Sequence, residues 1–302
     1  MKTVTGIGEA LWDCLPEGRK FGGAPTNFAY HCSQFGLDSW AVSAVGNDAL
    51  GDEILDICKS VNLQVICPKI NYETGTVQVT LDKNGIPQYN IKTDVAWDNI
   101  PYTEKLAQLA HHTDAVCFGS LAQRNSVSKS TIQSFIKDMP EESLKVFDIN
   151  LRQDFYSKEL IEESLRLCNV LKINDEELVT VSRLFGSLQK SNEDFRTIWE
   201  EFDFKIACHK ILKEYNLQIL ILTCGTNGSY VFTPDGEVSQ QGTPKVNVAD
   251  TVGAGDSFTA AFVSSILLGK NVKEAHKKAV EVSAYVCTQH GAMPKLPEKI
   301  KQ

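Results

Sequence analysis

Asp250-Thr-Val-Gly253-Ala254-Gly255-Asp256-Ser-Phe-Thr-Ala-Ala-Phe262 is the stretch whose reading decides the fold. Before it, Lys245 to Val248 alternates like the end of a strand; after it, Phe258, Ala261, Phe262 and Ile266 recur at helical spacing up to Gly269. Gly253-Ala254-Gly255 is therefore a turn that opens a helix. The first N–H groups of a helix lack partners and sit at the positive end of its dipole, and glycines beside Ala254 let an anion approach the backbone closely. Asp256, in the first helical turn, has two readings. It caps the helix, or it acts as a base beside a bound phosphate.

Working outward, strands and helices alternate from Asp114 onward, with strands near 114–119, 144–149, 169–173 and 218–223. Runs such as Ala115-Val-Cys-Phe118 and Ile219-Leu-Ile-Leu222 are apolar throughout, which suits strands covered on both faces. This predicts a doubly wound, mostly parallel sheet flanked by helices. The stretch between Leu178 and Tyr215 reads as a largely helical surface excursion with a loop at Ser187 to Asn192. By contrast, Gly75 to Leu81 and Ile86 to Ile91 alternate in polarity around Asp82-Lys-Asn-Gly85, which predicts a hairpin with one wet face.

At the N-terminal end, Val4 to Leu11 reads as one buried strand, with Asp13 just past its end. Gly6-x-Gly8 invites a dinucleotide-binding reading, but the third glycine is missing and no helix opens there. Gly22-Gly23-Ala-Pro25-Thr-Asn27 precedes a helix carrying Phe28, Ala29, Cys32 and Phe35 on one face and ending at Gly36. Asp148-Ile-Asn150-Leu-Arg152 and Asn174-Asp-Glu-Glu177 stand at two strand ends. The second is by itself a capping pair. Thr223-Cys-Gly225-Thr-Asn-Gly228 follows the most apolar strand as a turn.

Composition narrows the function. The 302 residues are 42% hydrophobic, enough for one large α/β domain. A net charge of −8 without a long basic run argues against nucleic acid and anionic membranes as partners. Nine cysteines are scattered with no Cys-x-x-Cys pair, which argues against a zinc site or disulfide framework and fits a reducing cytoplasm. No apolar run reaches the length of a membrane span. There is no Gly-x-x-x-x-Gly-Lys-Ser/Thr loop, so any phosphate cradle must be the Gly253 turn.

These motifs together resemble the ribokinase-like (PfkB) carbohydrate kinases, over essentially the whole chain. Asp-Thr-x-Gly-Ala-Gly-Asp is similar to that family's C-terminal signature, and Gly-Gly-x-x-x-Asn to its N-terminal one. The resemblance implies a single kinase domain over 1–302, with lid segments at about 14–21 and 67–95 forming a small β-sheet over the sugar. It implies that Asp256 deprotonates the acceptor hydroxyl while Gly253, Ala254 and Gly255 stabilise the transferring phosphoryl group. Asp13, Gly22, Gly23, Asn27 and Arg152 would bind the sugar. Thr223, Gly225, Gly228, Thr251 and Cys287 would border ATP, and Asn174 and Glu177 would organise Mg2+ through water. Asp250 would border a monovalent cation such as K+.

Asp13, the short segment before Gly22, and Val95-Ala-Trp-Asp98 most resemble bacterial fructokinases, with a homodimer formed through the lid. Gln153-Asp-Phe-Tyr156 departs from the Pro-x-x-Trp that follows Asn-x-Arg in many of them. That leaves open another small sugar or nucleoside acceptor, such as ribose or 2-keto-3-deoxygluconate, or a non-catalytic sugar-binding regulator. The intact glycines and Asp256 speak against the regulator.

Overall fold

The computed structural model describes residues 1–15, 18–81, 87–188 and 195–301. In its main sheet Thr3–Ile7 lies third from one edge. Asp38–Val42 and Gln64–Ile66 follow on one side; Ala115–Phe118, Leu144–Asp148, Val170–Asn174 and Ile219–Thr223 follow on the other, all parallel. Ser229–Phe232 and Val238–Gln241 close that edge antiparallel. The apolar strands are covered on both faces, as their sequence requires. Leu220 and Leu222 join Phe118, Phe147, Ile132 and Leu165 in one cluster. Ile219 and Ile221 join Val146, Phe28, Phe262 and Val282 in the other. Helices therefore lie on both sides of the sheet, and parallel strands in this arrangement present ligand-binding groups at their C-terminal ends.

The N-terminal strand departs from its expected form. Thr3–Ile7 stops, and after Gly8, Glu9 and Ala10 the chain enters a second sheet at Leu11–Leu15. Periodicity could not show this, because both pieces are apolar. The break lies at Gly8, whose φ of +152° few residues but glycine adopt. Gly6 serves packing: a Cβ there would lie 2.0 Å from the carbonyl oxygen of Pro25, so its absence lets the Ala24–Ser33 helix lie directly on the strand.

The second sheet has the order Gly18–Gly22, Leu11–Leu15, Gly75–Leu81, Pro87–Ile91. It begins before the expected 14–21 span, which puts Asp13 inside it and not at the end of a central strand. Lys69–Ile70, expected within the second lid segment, pairs with Val45–Gly46 in a separate two-stranded sheet. Val77 and Ile91 are buried while Gln78 and Asn90 are exposed, so the strands alternate as their sequence does. The turn expected at 82–85 and the core of the loop expected at 187–192 lie outside the described residues.

A second correction concerns Lys245 to Val248, which forms no strand. Val246 and Val248 are exposed, and just beyond them the N–H groups of Ala249 and Asp250 both donate to the Cys287 carbonyl at the end of the Val272–Cys287 helix. Alternating polarity had no strand edge to pair with. The nine cysteines are all free thiols, and among the described residues no helix is long and apolar enough to cross a membrane.

Candidate active site

Two helix starts face each other above the C-terminal ends of the parallel strands. In the Ala254–Leu267 helix, Gly253 is the cap residue, left-handed at φ 76°, and a Cβ on it would meet the Ala292 backbone at 2.7 Å. Asp256 is therefore not the cap. Its Oδ2 accepts a hydrogen bond of 2.7 Å from Asn27 Nδ2, on the Ala24–Ser33 helix, which joins the two signatures directly. Burial raises the Asp256 carboxyl to about 6, with the Asn27 bond opposing the shift. A carboxylate tuned to that range is ionised at neutral pH yet basic enough to take a proton.

Gly22 and Asp13 meet across the small sheet. A Cβ on Gly22 would stand 2.6 Å from Asp13 Oδ2, so the glycine makes room for the carboxylate. Burial pushes the Asp13 carboxyl up, and the nearby charges of Arg152 and Lys20 pull it back. Lys20 is the cross-strand partner of Asp13 and so shares its face of the sheet. Arg152 reaches the same place from the loop after Leu144–Asp148, where Asn150 turns the chain at a left-handed φ of 45°. Its charge also acts on Glu9 and Asp256.

Asn174 and Glu177 form the capping box that their spacing predicts. Each takes the other's backbone N–H, and Glu177 Oε1 also accepts from Leu151 N at 3.0 Å. This ties the Arg152 loop to the neighbouring strand. Thr223 is the register partner of Asn174, which places the Thr223-to-Gly228 turn beside the box. Gly228 is needed there, since a Cβ would lie 2.4 Å from Gln241 O. On the far side of the Gly253 turn, Thr251 O accepts from Ala254 N, and Cys287 O holds Asp250.

Asp250, expected to border a monovalent cation, has hydrogen-bond donors on both carboxylate oxygens. Oδ1 accepts from Val252 N, and Oδ2 accepts from Gly291 N and from the Lys20 ammonium at 3.3 Å. Burial pushes its carboxyl up, but these donors and the Lys20 charge more than offset that and hold it low. The Lys20 ammonium is brought to it by the small sheet.

Two groups in this cluster were not legible as functional from sequence. Lys172 lies in the buried strand Val170–Asn174, where its Nζ donates to Asp148 Oδ1 at 3.0 Å. A Cβ on Gly255 would be 3.1 Å from that ammonium, so it lies against the anion turn. Burial alone would lower Lys172, but the carboxylates of Asp148, Glu177 and Asp256 prevail and raise it to about 12. The available signal was a lysine inside an otherwise apolar strand. Glu9, directly after Gly6-x-Gly8, is the other; it is 3% exposed.

Several known proteins resemble this chain over most of its length. A family model described as pfkB family carbohydrate kinase matches residues 17–299. The ATP-dependent 6-phosphofructokinase of Thermoanaerobacterium thermosaccharolyticum is 26% identical, over 95% of this chain and 85% of its own. The fructokinase of Salmonella typhimurium is 28% identical, over 96% and 95%. Among solved structures, an uncharacterised sugar kinase from Pyrococcus horikoshii in complex with ATP superposes with a TM-score of 0.73 at 25% identity, covering 97% of this chain and 94% of its own.

Proposed function

We propose fructose as the acceptor, on the premise that this chain belongs to the pfkB family of carbohydrate kinases and is therefore an ATP-dependent sugar phosphotransferase. The observation that carries the proposal is the charge balance around Asp13. Relatives of nearly equal identity act on a sugar or, by their names, on a sugar phosphate. A phosphate on the acceptor would need cations of its own. Here the charge of Arg152 already acts on Asp13 and Asp256, and Lys20 is placed on Asp250. A neutral sugar donating a hydroxyl to Asp13 suits that balance better.

In this reading Asp256 takes the proton of the attacking hydroxyl. The N–H groups of the Gly253-to-Gly255 turn and the Lys172 ammonium stabilise charge on the phosphoryl group as it moves. The small sheet acts as a lid that keeps water from competing as acceptor. Asn174 and Glu177 have their inner lone pairs on backbone N–H groups, so they would hold Mg2+ only through its waters, a mode that ion favours. Bound there, the ion would neutralise nucleotide phosphate charge. Thr223, Gly225, Gly228, Thr251 and Cys287 would border the nucleotide. A homodimer through the outer face of the small sheet belongs to the same reading, and light scattering tests it.

The deciding experiment is a coupled ATP-dependent assay across fructose, ribose, 2-keto-3-deoxygluconate, nucleosides and fructose 6-phosphate, with mass spectrometry of the product. Fructose should give the highest kcat/KM; a preference for fructose 6-phosphate would overturn the charge argument. Asp13→Ala should raise the sugar KM about 10-fold or more, since a charge-assisted hydrogen bond is worth roughly 1.5–3 kcal/mol. The KM for ATP should stay nearly constant. A rise in the ATP KM alone would put the nucleotide where the sugar is placed here.

A further inference from the structure

Glu9 sits at the junction between Thr3–Ile7 and the small sheet, and its carboxyl faces the backbone N–H of Ala24. Ala24 begins a helix whose cap residue, Gly23, has no side chain to offer. The other end of the story is Oε2, which is buried without a hydrogen-bond partner. Three residues along the same helix, and so on the same face, stands Asn27. Its Nδ2 is on Asp256, and its Oδ1 is likewise buried without a partner. Two orphaned acceptors beside the base lack one thing between them, a hydrogen-bond donor.

We propose that Glu9 is a positioning residue that works as the neutral acid: a proton on Oε2 is donated to Asn27 Oδ1, which fixes the Asn27 amide with its NH2 on Asp256. One proton then satisfies both orphans, and no proton is transferred during turnover. The charged groups acting on Glu9 are Asp256 from the facing helix and Arg152 from the loop after Leu144–Asp148. Burial is the larger influence, Asp256 adds to it, and Arg152 opposes it; the carboxyl is pushed up to about 7. Glu9 is therefore neutral below that pH and loses its donor as pH rises through it. Above it, Asn27 is free to turn, and Asp256 faces a second negative charge.

The inference rests on Asp256 as the base, but its first test does not. Isotope-edited infrared spectroscopy at mildly acidic pH should show a protonated-carboxyl band that titrates near pH 7 and is absent from Glu9→Gln. Absence of that band from the wild type would overturn the proposal whatever Asp256 does. In kinetics, Glu9→Leu should lower kcat about 10-fold or more with little change in the sugar KM. Glu9→Gln can donate from the Oε2 position at every pH, so it should restore most of that loss and abolish the fall in kcat between about pH 6.5 and pH 8.5. If Glu9→Gln loses as much as Glu9→Leu, or keeps the alkaline fall, the neutral acid is not what positions Asn27. Should Glu9→Leu fail to fold, the Gln variant and the infrared band still decide.

Discussion

Asp256→Asn should lower kcat by about 10² to 10⁴ while the KM values for sugar and ATP stay within about threefold. The substitution keeps the shape of the side chain and can keep a bond to Asn27, so what it removes is the proton acceptor. The start of the helix should survive, because Gly253 and not Asp256 is its cap. In the wild type, burial raises this carboxyl to about 6. The base form is present above that pH and is lost as pH falls through it, so kcat should drop roughly tenfold per unit on the acid side. The same acid limb should be missing from Asp256→Asn. Near-normal turnover in that variant would leave Asn27 and Asp256 as a purely structural tie between two helices.

The sequence carried this site as far as local chemistry reaches. Gly253, Gly255, Gly22 and Gly228 were legible because each permits a turn or a close approach, and the structure places backbone, a carboxylate or an ammonium 2.4–3.1 Å from where their Cβ would be. The doubly wound sheet was legible because strands covered twice must be apolar throughout. The failures share a cause. Alternation at Lys245 to Val248 reports which way side chains could face, not whether a neighbouring strand exists. The apolar run from Val4 to Leu11 hid a change of sheet at Gly8. Lys172 and Glu9 are ionisable groups inside apolar stretches, and what makes them tolerable lies far away in sequence: Asp148 for one, and the start of the Ala24–Ser33 helix for the other. No window of neighbouring residues contains those partners.

Lys172→Met should reduce kcat by about 10² or more, the scale expected when a preorganised charge at a transferring group is lost. The ammonium is buried, stays charged, spends a donor on Asp148, and lies against Gly255 in the turn that would cradle the phosphoryl group. A structural reading competes, in which Lys172 is only a counterion to Asp148, whose other oxygen accepts from Thr259 Oγ1 at 3.1 Å. Removing one partner of a buried pair costs about 3–5 kcal/mol in stability, so the single variant should also melt at lower temperature. Pairing it with Asp148→Asn removes the uncompensated carboxylate, keeps a bond to Thr259, and should recover much of the melting temperature. The two readings then separate. If turnover recovers along with stability, Lys172 only neutralises Asp148; if stability returns while kcat stays low, the lysine acts on the phosphoryl group itself, and the second outcome is the one expected from its place at Gly255.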